Sequence, residues 1–278
     1  MEIFYKIKDL KNFISKYKNL TIGFVPTMGS LHQGHISLVQ DARKENDIVV
    51  VSIFVNKLQF DQLDDYLKYP RTNEQDIDML TREHVDVLFL PHEEILYPLI
   101  NPLILDVGKF NQIGEGLHRK QHLNGVATIV LKFLNIIFPH TIYLGQKDAL
   151  QCALIQYLVK DFFLNIQVKI CPTIRNENNL ALSSRNVFLT PKEKLNSSLI
   201  YESLELGQEL IKKQESISYI KNKIKENLEN FYIVEYININ NLNRIWDSDN
   251  VNLNEKIIIT LAIKTLESNT RIIDNIIT

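Results

Sequence analysis

The amino-acid sequence predicts an α/β domain built on a parallel sheet, followed by a smaller α+β domain. Three observations carry this. Between residues 21 and 170 short apolar runs alternate with amphipathic helical patterns, as in strands joined by right-handed helical crossovers. The run at 47–56 is almost unbroken apolar (Ile48, Val49, Val50, Val51, Ile53, Phe54, Val55). That is how a strand covered on both faces of a parallel sheet reads. After Pro172 the pattern changes to polar turns, then helices, then three strand-like runs. The expected division is therefore 1–175 and 176–278, and a chain of 278 residues is long enough to support two cores.

The elements follow in order. Residues 1–18 read as a short strand and a helix with Leu10, Phe13, Ile14 and Tyr17 on one face. Residues 21–25 form a strand that runs into a Pro- and Gly-containing turn. A helix from about Gln33 to Asn46 follows, with His35, Leu38, Val39 and Ala42 on one face. After the 47–56 strand a loop leads through Tyr69-Pro70-Arg71-Thr72 to a helix at 73–84 and a short strand at 86–90. Residues 92–124 read as irregular, too long for a bare connector, and so as a functional loop or lid. Residues 125–138 form a helix whose polar positions, Thr128, Lys132 and Asn135, make a thin wet stripe. A strand at 141–144, a helix opened by Gly145, Gln146, Lys147 and Asp148, and a strand at 167–170 complete a doubly wound, Rossmann-like parallel sheet. In the second domain Thr190 and Pro191 start one long helix to about Lys213. A second helix (216–229) and strands at 232–239, 256–263 and 271–277 follow.

Composition excludes several classes. With 45% hydrophobic and 23% charged residues the chain is ordinary for a globular protein, and a formal charge of −2 gives no global field for nucleic acid or an acidic membrane. Cys152 and Cys171 both lie in apolar runs and read as buried free thiols of a reducing compartment. The first 20 residues lack the apolar core of a signal peptide, and no apolar run is long enough to span a bilayer. A cytoplasmic location is expected.

The chemistry gathers at the C-terminal ends of the strands, where open α/β sheets bind ligands. The turn after the first long strand joins a helix start, where backbone N–H groups can meet phosphate. His32 and His35 lie there, three residues apart. A histidine on an apolar helix face is ordinarily a satisfied core residue, but a second one at a glycine-flanked helix start points to a ligand. Asn56 and Gln59 follow the next strand; Lys147, Asp148 and Gln151 open a later helix; Ser183, Ser184 and Arg185 can reach in from the second domain. Hydrogen-bond donors dominate this set. There is no paired-carboxylate site, no zinc spacing, no nucleophile elbow and no Walker A motif. Donors without a protein nucleophile suit transfer at phosphorus, where positioning and charge neutralisation do most of the work.

The stretch Pro26-Thr27-Met28-Gly29-Ser30-Leu31-His32-Gln33-Gly34-His35 resembles the H-x-G-H signature of nucleotidylyltransferases. Together with Ser52-Ile53-Phe54-Val55-Asn56-Lys57-Leu58-Gln59-Phe60, Tyr69-Pro70-Arg71-Thr72, Gly145-Gln146-Lys147-Asp148 and Leu180-Ala181-Leu182-Ser183-Ser184-Arg185-Asn186, it resembles the pantothenate synthetase (pantoate–β-alanine ligase) family across essentially the whole chain. The resemblance implies a two-step ligase: ATP and pantoate give pantoyl adenylate and pyrophosphate, and β-alanine then displaces AMP. It also implies roles. Met28, Gly29, Ser30, Leu31, His32, Gln33, Gly34 and His35 would line the ATP phosphates, with His35 as proton donor, His32 its partner and Lys147 a further catalytic group. Gly145, Gln146, Lys147, Asp148, Ile174, Leu182, Ser183, Ser184 and Arg185 would complete the ATP site. Gln59 and Gln151 would hold pantoate, with Gln59 also on β-alanine and Asn56, Arg119 and Tyr69 in support. Magnesium would come with the nucleotide, and a homodimer is implied.

Four places depart from the family's usual residues. Lys57 replaces Pro and is expected to bring a charge near the pocket. Gln146 replaces Glu and removes a carboxylate beside Lys147. Asn179 replaces Gly, as the residue that best tolerates a left-handed turn after it. Lys120-Gln121 replaces Pro-Gly and puts that loop's geometry in question. Other readings stay open: another H-x-G-H adenylyltransferase acting on a different small acid or phosphate, a class I aminoacyl-tRNA synthetase fragment, which should bring a basic surface, and a non-enzymatic nucleotide binder.

Overall fold

The computed structural model describes residues 1–17, 19–247 and 251–278. Lys18, at the end of the predicted opening helix, lies outside the described residues. The first unit comprises β1 (Glu2–Phe4), α1 (Ile7–Ile14), β2 (Ile22–Thr27), α2 (Gln33–Glu45), β3 (Ile48–Ile53), α3 (Leu63–Lys68), α4 (Asn73–Arg82), β4 (Val87–Phe89), α5 (Glu93–Leu96), α6 (Gly114–His118), α7 (His122–Ile137), β5 (Thr141–Gly145), α8 (Ala149–Asp161) and β6 (Gln167–Cys171). Its six strands lie in the order β1-β4-β3-β2-β5-β6, with every pairing parallel. From β2 the chain builds outward through β3 and β4, then returns to add β5 and β6 on the other side. The order therefore reverses between β2 and β5, the place where a doubly wound sheet opens a crevice.

Each strand feeds both faces. Phe24 and Val50 pack into the cluster under α1, α7 and α8, whereas Val25, Val49 and Val51 pack with Leu38, Val39 and Ala42 of α2 and Leu80 of α4. All of these residues are buried, which explains the unbroken apolar run. The remaining elements are α9 (Pro191–Leu195), α10 (Ser198–Lys212), α11 (Ile217–Leu228), β7 (Tyr232–Asn241), β8 (Ile257–Thr265) and β9 (Arg271–Ile277). The last three form an antiparallel sheet, β7-β8-β9, and α10 and α11 cover it through a separate apolar cluster. Cys152 and Cys171 are buried free thiols. Among the described residues no helix is long and apolar enough to cross a membrane.

The structure corrects several expectations. The predicted loop after β3 contains α3, too short and polar to leave a periodic pattern. The irregular 92–124 segment holds α5, a 3-10 turn (Gly108–Gln112) and α6, and α7 begins three residues before Gly125. The polar stripe of α7 is largely covered rather than wet. Thr128 Oγ1 accepts from the Leu105 N–H at 2.9 Å, Lys132 Nζ donates to the Leu96 carbonyl at 2.6 Å, and only Asn135 stays exposed. The long helix predicted from Pro191 is broken between α9 and α10. There the backbone bonds tighten to i→i+3 spacing (Leu199 N–H to the Asn196 carbonyl, 3.3 Å), and the same carbonyls also accept from the Tyr232 hydroxyl (Asn196, 3.0 Å) and Ser197 Oγ (Lys194, 2.7 Å). Thr190 is the N-cap of α9 as expected, and the structure adds a capping box with Glu193 as its partner.

Candidate active site

β2 runs through Pro26 to Thr27, two residues beyond the predicted strand, and ends in a turn fixed from three sides. Thr27 Oγ1 donates to the Ser52 carbonyl (2.8 Å) and accepts from Gly29 N–H (3.2 Å). Gly29 and Ser30 both take left-handed backbone, φ 81° and 50°. Ser30 tolerates this because buried Asp76 of α4 grips the turn, accepting from the N–H groups of Ser30 and Leu31 at 2.9 Å each and from Thr72 Oγ1 at 3.0 Å. The turn's amides are therefore largely committed to the protein. The N–H groups of Gly29, Ser30 and Leu31, expected from the sequence to face phosphate, are hydrogen-bonded within the protein.

The two histidines lie just beyond the turn. His32 is the N-cap of α2, and its Nδ1 accepts from Gly34 N–H at 3.1 Å; His35 Nδ1 accepts in turn from His32 N–H at 3.3 Å. The motif needs glycine at 34 because a Cβ there would sit 2.9 Å from His32 Cε1. The rings stack with centroids 4.1 Å apart. Since both Nδ1 atoms accept, each neutral ring carries its proton on Nε2. Burial first, then the Lys147 charge, push the His32 pKa down to about 4, with Asp148 opposing. Burial, His32 and Lys147 hold His35 well below the ordinary imidazole value.

A cleft of about 980 Å³ opens beside this pair at the switch point. It is lined by Met28, His32, Gly34 and His35; by Gln59, Tyr69 and Arg119; by Gly145, Lys147, Asp148 and Gln151; and by Ile174, Leu182, Ser183, Ser184 and Arg185. One cleft thus gathers most of the residues singled out in the sequence. Gly29, Ser30, Leu31, Gln33, Gln146 and Asn56 are not on its wall. Asn56 is fully buried: its amide donates to Gln59 Oε1 (3.2 Å) and the Gly125 carbonyl (3.0 Å), and it accepts from the Tyr97 hydroxyl (2.9 Å). It holds the Gln59 side chain from behind the cleft wall. Gly125 permits this arrangement, because a Cβ there would lie 2.5 Å from the Leu58 carbonyl carbon.

The second unit reaches the cleft from above. Ser184 Oγ donates to the Ser30 carbonyl (2.9 Å), and Arg185 pairs with Asp65 of α3 (3.0 Å) over the Tyr69 ring. Asn275 of β9 donates to the Gln146 and Lys147 carbonyls (2.9 Å each) and so holds that loop. Arg271 of β9 makes a two-pronged pair with Glu115 of α6 (2.9 and 2.7 Å), which also accepts from the Tyr236 hydroxyl. Burial alone would raise the Glu115 pKa; the Arg271 hydrogen bonds and charge outweigh it and hold the carboxyl at about 2. Asp76, Glu115, His122, Arg271 and Asn275 were not singled out in the sequence. Each acts on a partner distant in the chain, and no local motif marks any of them.

The departures resolve in place. Lys57 is exposed and off the cleft wall, so its charge does not enter the pocket. Gln146 Nε2 donates to Asn275 Oδ1 at 3.2 Å, turned toward β9 rather than toward Lys147. Asn179 adopts φ 58°, the left-handed turn expected of it. Gln121 keeps ordinary right-handed backbone as the N-cap of α7 and donates its N–H to Asp61 (2.9 Å).

Comparison with known proteins decides the family. The pantoate-beta-alanine ligase family model matches residues 2–277. The chain belongs to the pantoate-beta-alanine ligase family. Pantothenate synthetase of Caldicellulosiruptor bescii is 40% identical over 282 residues, covering 100% of this chain and 99% of the relative. Among solved structures of the family, pantothenate synthetase from Thermus thermophilus is similar at TM-score 0.90 and 34% identity, with 99% of each chain covered. Pantoate-beta-alanine ligase from Francisella tularensis, solved in complex with a β,γ-ATP compound and β-alanine, is similar at TM-score 0.81 and 39% identity, covering 99% of this chain and 97% of that one.

Proposed function

We propose that this pantoate–β-alanine ligase activates (R)-pantoate as an acyl adenylate before β-alanine attacks. One observation carries the reading. Two neutral histidines, held as Nε2–H donors, line one cleft together with Lys147 and the amides of Gln59 and Gln151. Amides suit a hydroxy acid, because they donate and accept without adding charge. Neutral N–H donors and an ammonium suit the charge that builds on the α-phosphate oxygens during attack. His35 acts through its Nε2–H bond, since its Nδ1 accepts from His32 N–H and burial disfavours the charged ring.

Nucleotide would lie over Gly145, where the structure leaves open space, with Asp148 toward the ribose and Ile174 meeting adenine through its backbone. Leu182 to Arg185 would close on the β,γ-phosphates, Arg185 exchanging Asp65 for phosphate. Residues 1–175 then form the ATP- and pantoate-binding unit and 176–278 the lid. The donor set of histidine N–H and lysine suits phosphate rather than a cation, so magnesium would ride on phosphate oxygens and water.

Isotope transfer tests the intermediate. With pantoate labelled by ¹⁸O in its carboxylate, one labelled oxygen should appear in AMP. AMP without label would rule out the adenylate.

A further inference from the structure

The reading above uses two of the three imidazoles on the cleft wall. The third, His122, opens α7 and is 8% exposed. Its Nδ1 lies 3.0 Å from the main-chain carbonyl oxygen of Gln59. A carbonyl can only accept, so Nδ1 carries the proton and the neutral ring turns a lone pair outward on Nε2. This is the opposite tautomer to that of His32 and His35. Among the described residues no protein donor meets Nε2. The other basic groups nearby are occupied: Glu115 by Arg271 and the Tyr236 hydroxyl, Asp65 by Arg185, and Asp148 lies 3.7 Å from Lys147.

We propose that His122 is a catalytic residue of the second half-reaction, accepting a hydrogen bond and then a proton from the attacking amine of β-alanine. This rests on the adenylate reading above. The position fits the nucleophile. Arg119 donates to the same Gln59 carbonyl at 3.1 Å and lines the cleft beside His122. The pair therefore offers a cation for the carboxylate and a lone pair for the amine, the two ends of a β-amino acid. The pocket also keeps the ring unprotonated. Burial and the Arg119 charge push its pKa down to about 4, and a substrate carboxylate on Arg119 would relieve part of that depression.

The step balances. β-Alanine attacks as the free amine, its nitrogen lone pair forming the C–N bond at the acyl carbon. His122 Nε2 takes one N–H proton from the tetrahedral adduct. The adduct collapses, the C–O bond to phosphorus-bound oxygen breaks, and AMP leaves with that electron pair. The imidazolium then returns its proton to water.

The test separates the half-reactions. His122→Asn keeps an N–H for the Gln59 carbonyl and deletes the Nε2 acceptor. Pantoate-dependent ATP–pyrophosphate exchange without β-alanine should stay within about threefold, while adenylate consumption by β-alanine should fall about 100-fold or more. Hydroxylamine, a weakly basic nucleophile with little need of a base, should consume the adenylate at a rate within about threefold of the unsubstituted protein. Exchange and β-alanine attack falling together, or β-alanine attack unchanged, would overturn the proposal. Absence of exchange in the unsubstituted protein would instead remove the adenylate reading. Should the variant not fold, ¹⁵N–¹H correlation spectra of the unsubstituted, histidine-labelled protein decide. They should show His122 protonated on Nδ1 and His32 and His35 on Nε2; a His122 protonated on Nε2 overturns the proposal.

Discussion

Replacing Gly34 by alanine separates the fold of the H-x-G-H segment from its chemistry. The new Cβ would stand 2.9 Å from His32 Cε1 and 3.0 Å from its Nδ1, against an ordinary carbon contact of about 3.5–4.0 Å. The ring is the free end of a side chain, so it yields, moving by roughly 0.5–1 Å and losing the Gly34 N–H bond to Nδ1. Stability changes little. Alanine at a helical position gains about 0.5–1 kcal/mol over glycine, and the lost cap costs about 1 kcal/mol. Activity should fall steeply, because a displacement of about 1 Å at a reacting centre can cost on the order of 10²-fold. The assay is pantoate-dependent ATP–pyrophosphate exchange, run beside urea unfolding. An exchange rate within about twofold of the unsubstituted protein, with an unchanged urea midpoint, would refute the claim that His32 works from this exact placement.

Three further outcomes are expected. Asp76→Asn replaces one of two acceptor oxygens by a donor facing an N–H group and should lower unfolding stability by about 1–3 kcal/mol in urea titrations; an unchanged midpoint would mean that water substitutes for the carboxylate. Glu115 is held at about 2 against an ordinary 4.5. Its folded pKa is depressed, so its contribution, about 3 kcal/mol, is present above pH 4.5 and lost as pH falls toward 2. Glu115→Gln should flatten stability in that window, and an identical acid profile would contradict the assignment. With His32 at about 4 and His35 held well below the ordinary imidazole value by burial, the exchange rate should show no histidine limb between about pH 6 and 8. A limb near the ordinary imidazole value would mean that one ring carries a proton in the working enzyme.

Much of this arrangement was legible in the sequence, because it depends on local pattern. The apolar run at Ile48 to Val55 announced a strand buried on two faces, and groups placed just after strand ends converge in any doubly wound sheet. That is why His32, His35, Gln59, Lys147 and Gln151 meet. What was not legible depends on distant partners. Asp76 takes the amides of Ser30 and Leu31, 46 and 45 residues away, and fixes the turn. Arg271 meets Glu115 across 156 residues. Asn56 has the same residue type and spacing whether its amide faces a ligand or, as here, the Gly125 carbonyl. At the break after α9 the Asn196 carbonyl also accepts from the Tyr232 hydroxyl of β7, 36 residues away, which no local pattern announces.

The central claim is that the cleft activates pantoate on its own, before any amine arrives. The most direct measurement is exchange of labelled pyrophosphate into ATP by the purified chain with magnesium and pantoate, in the absence of β-alanine. Exchange that requires pantoate, is not supported by other hydroxy acids, and collapses in His35→Ala while ATP binding persists is the predicted result. Folded protein that forms pantothenate from all three substrates yet shows no pantoate-dependent exchange would contradict it.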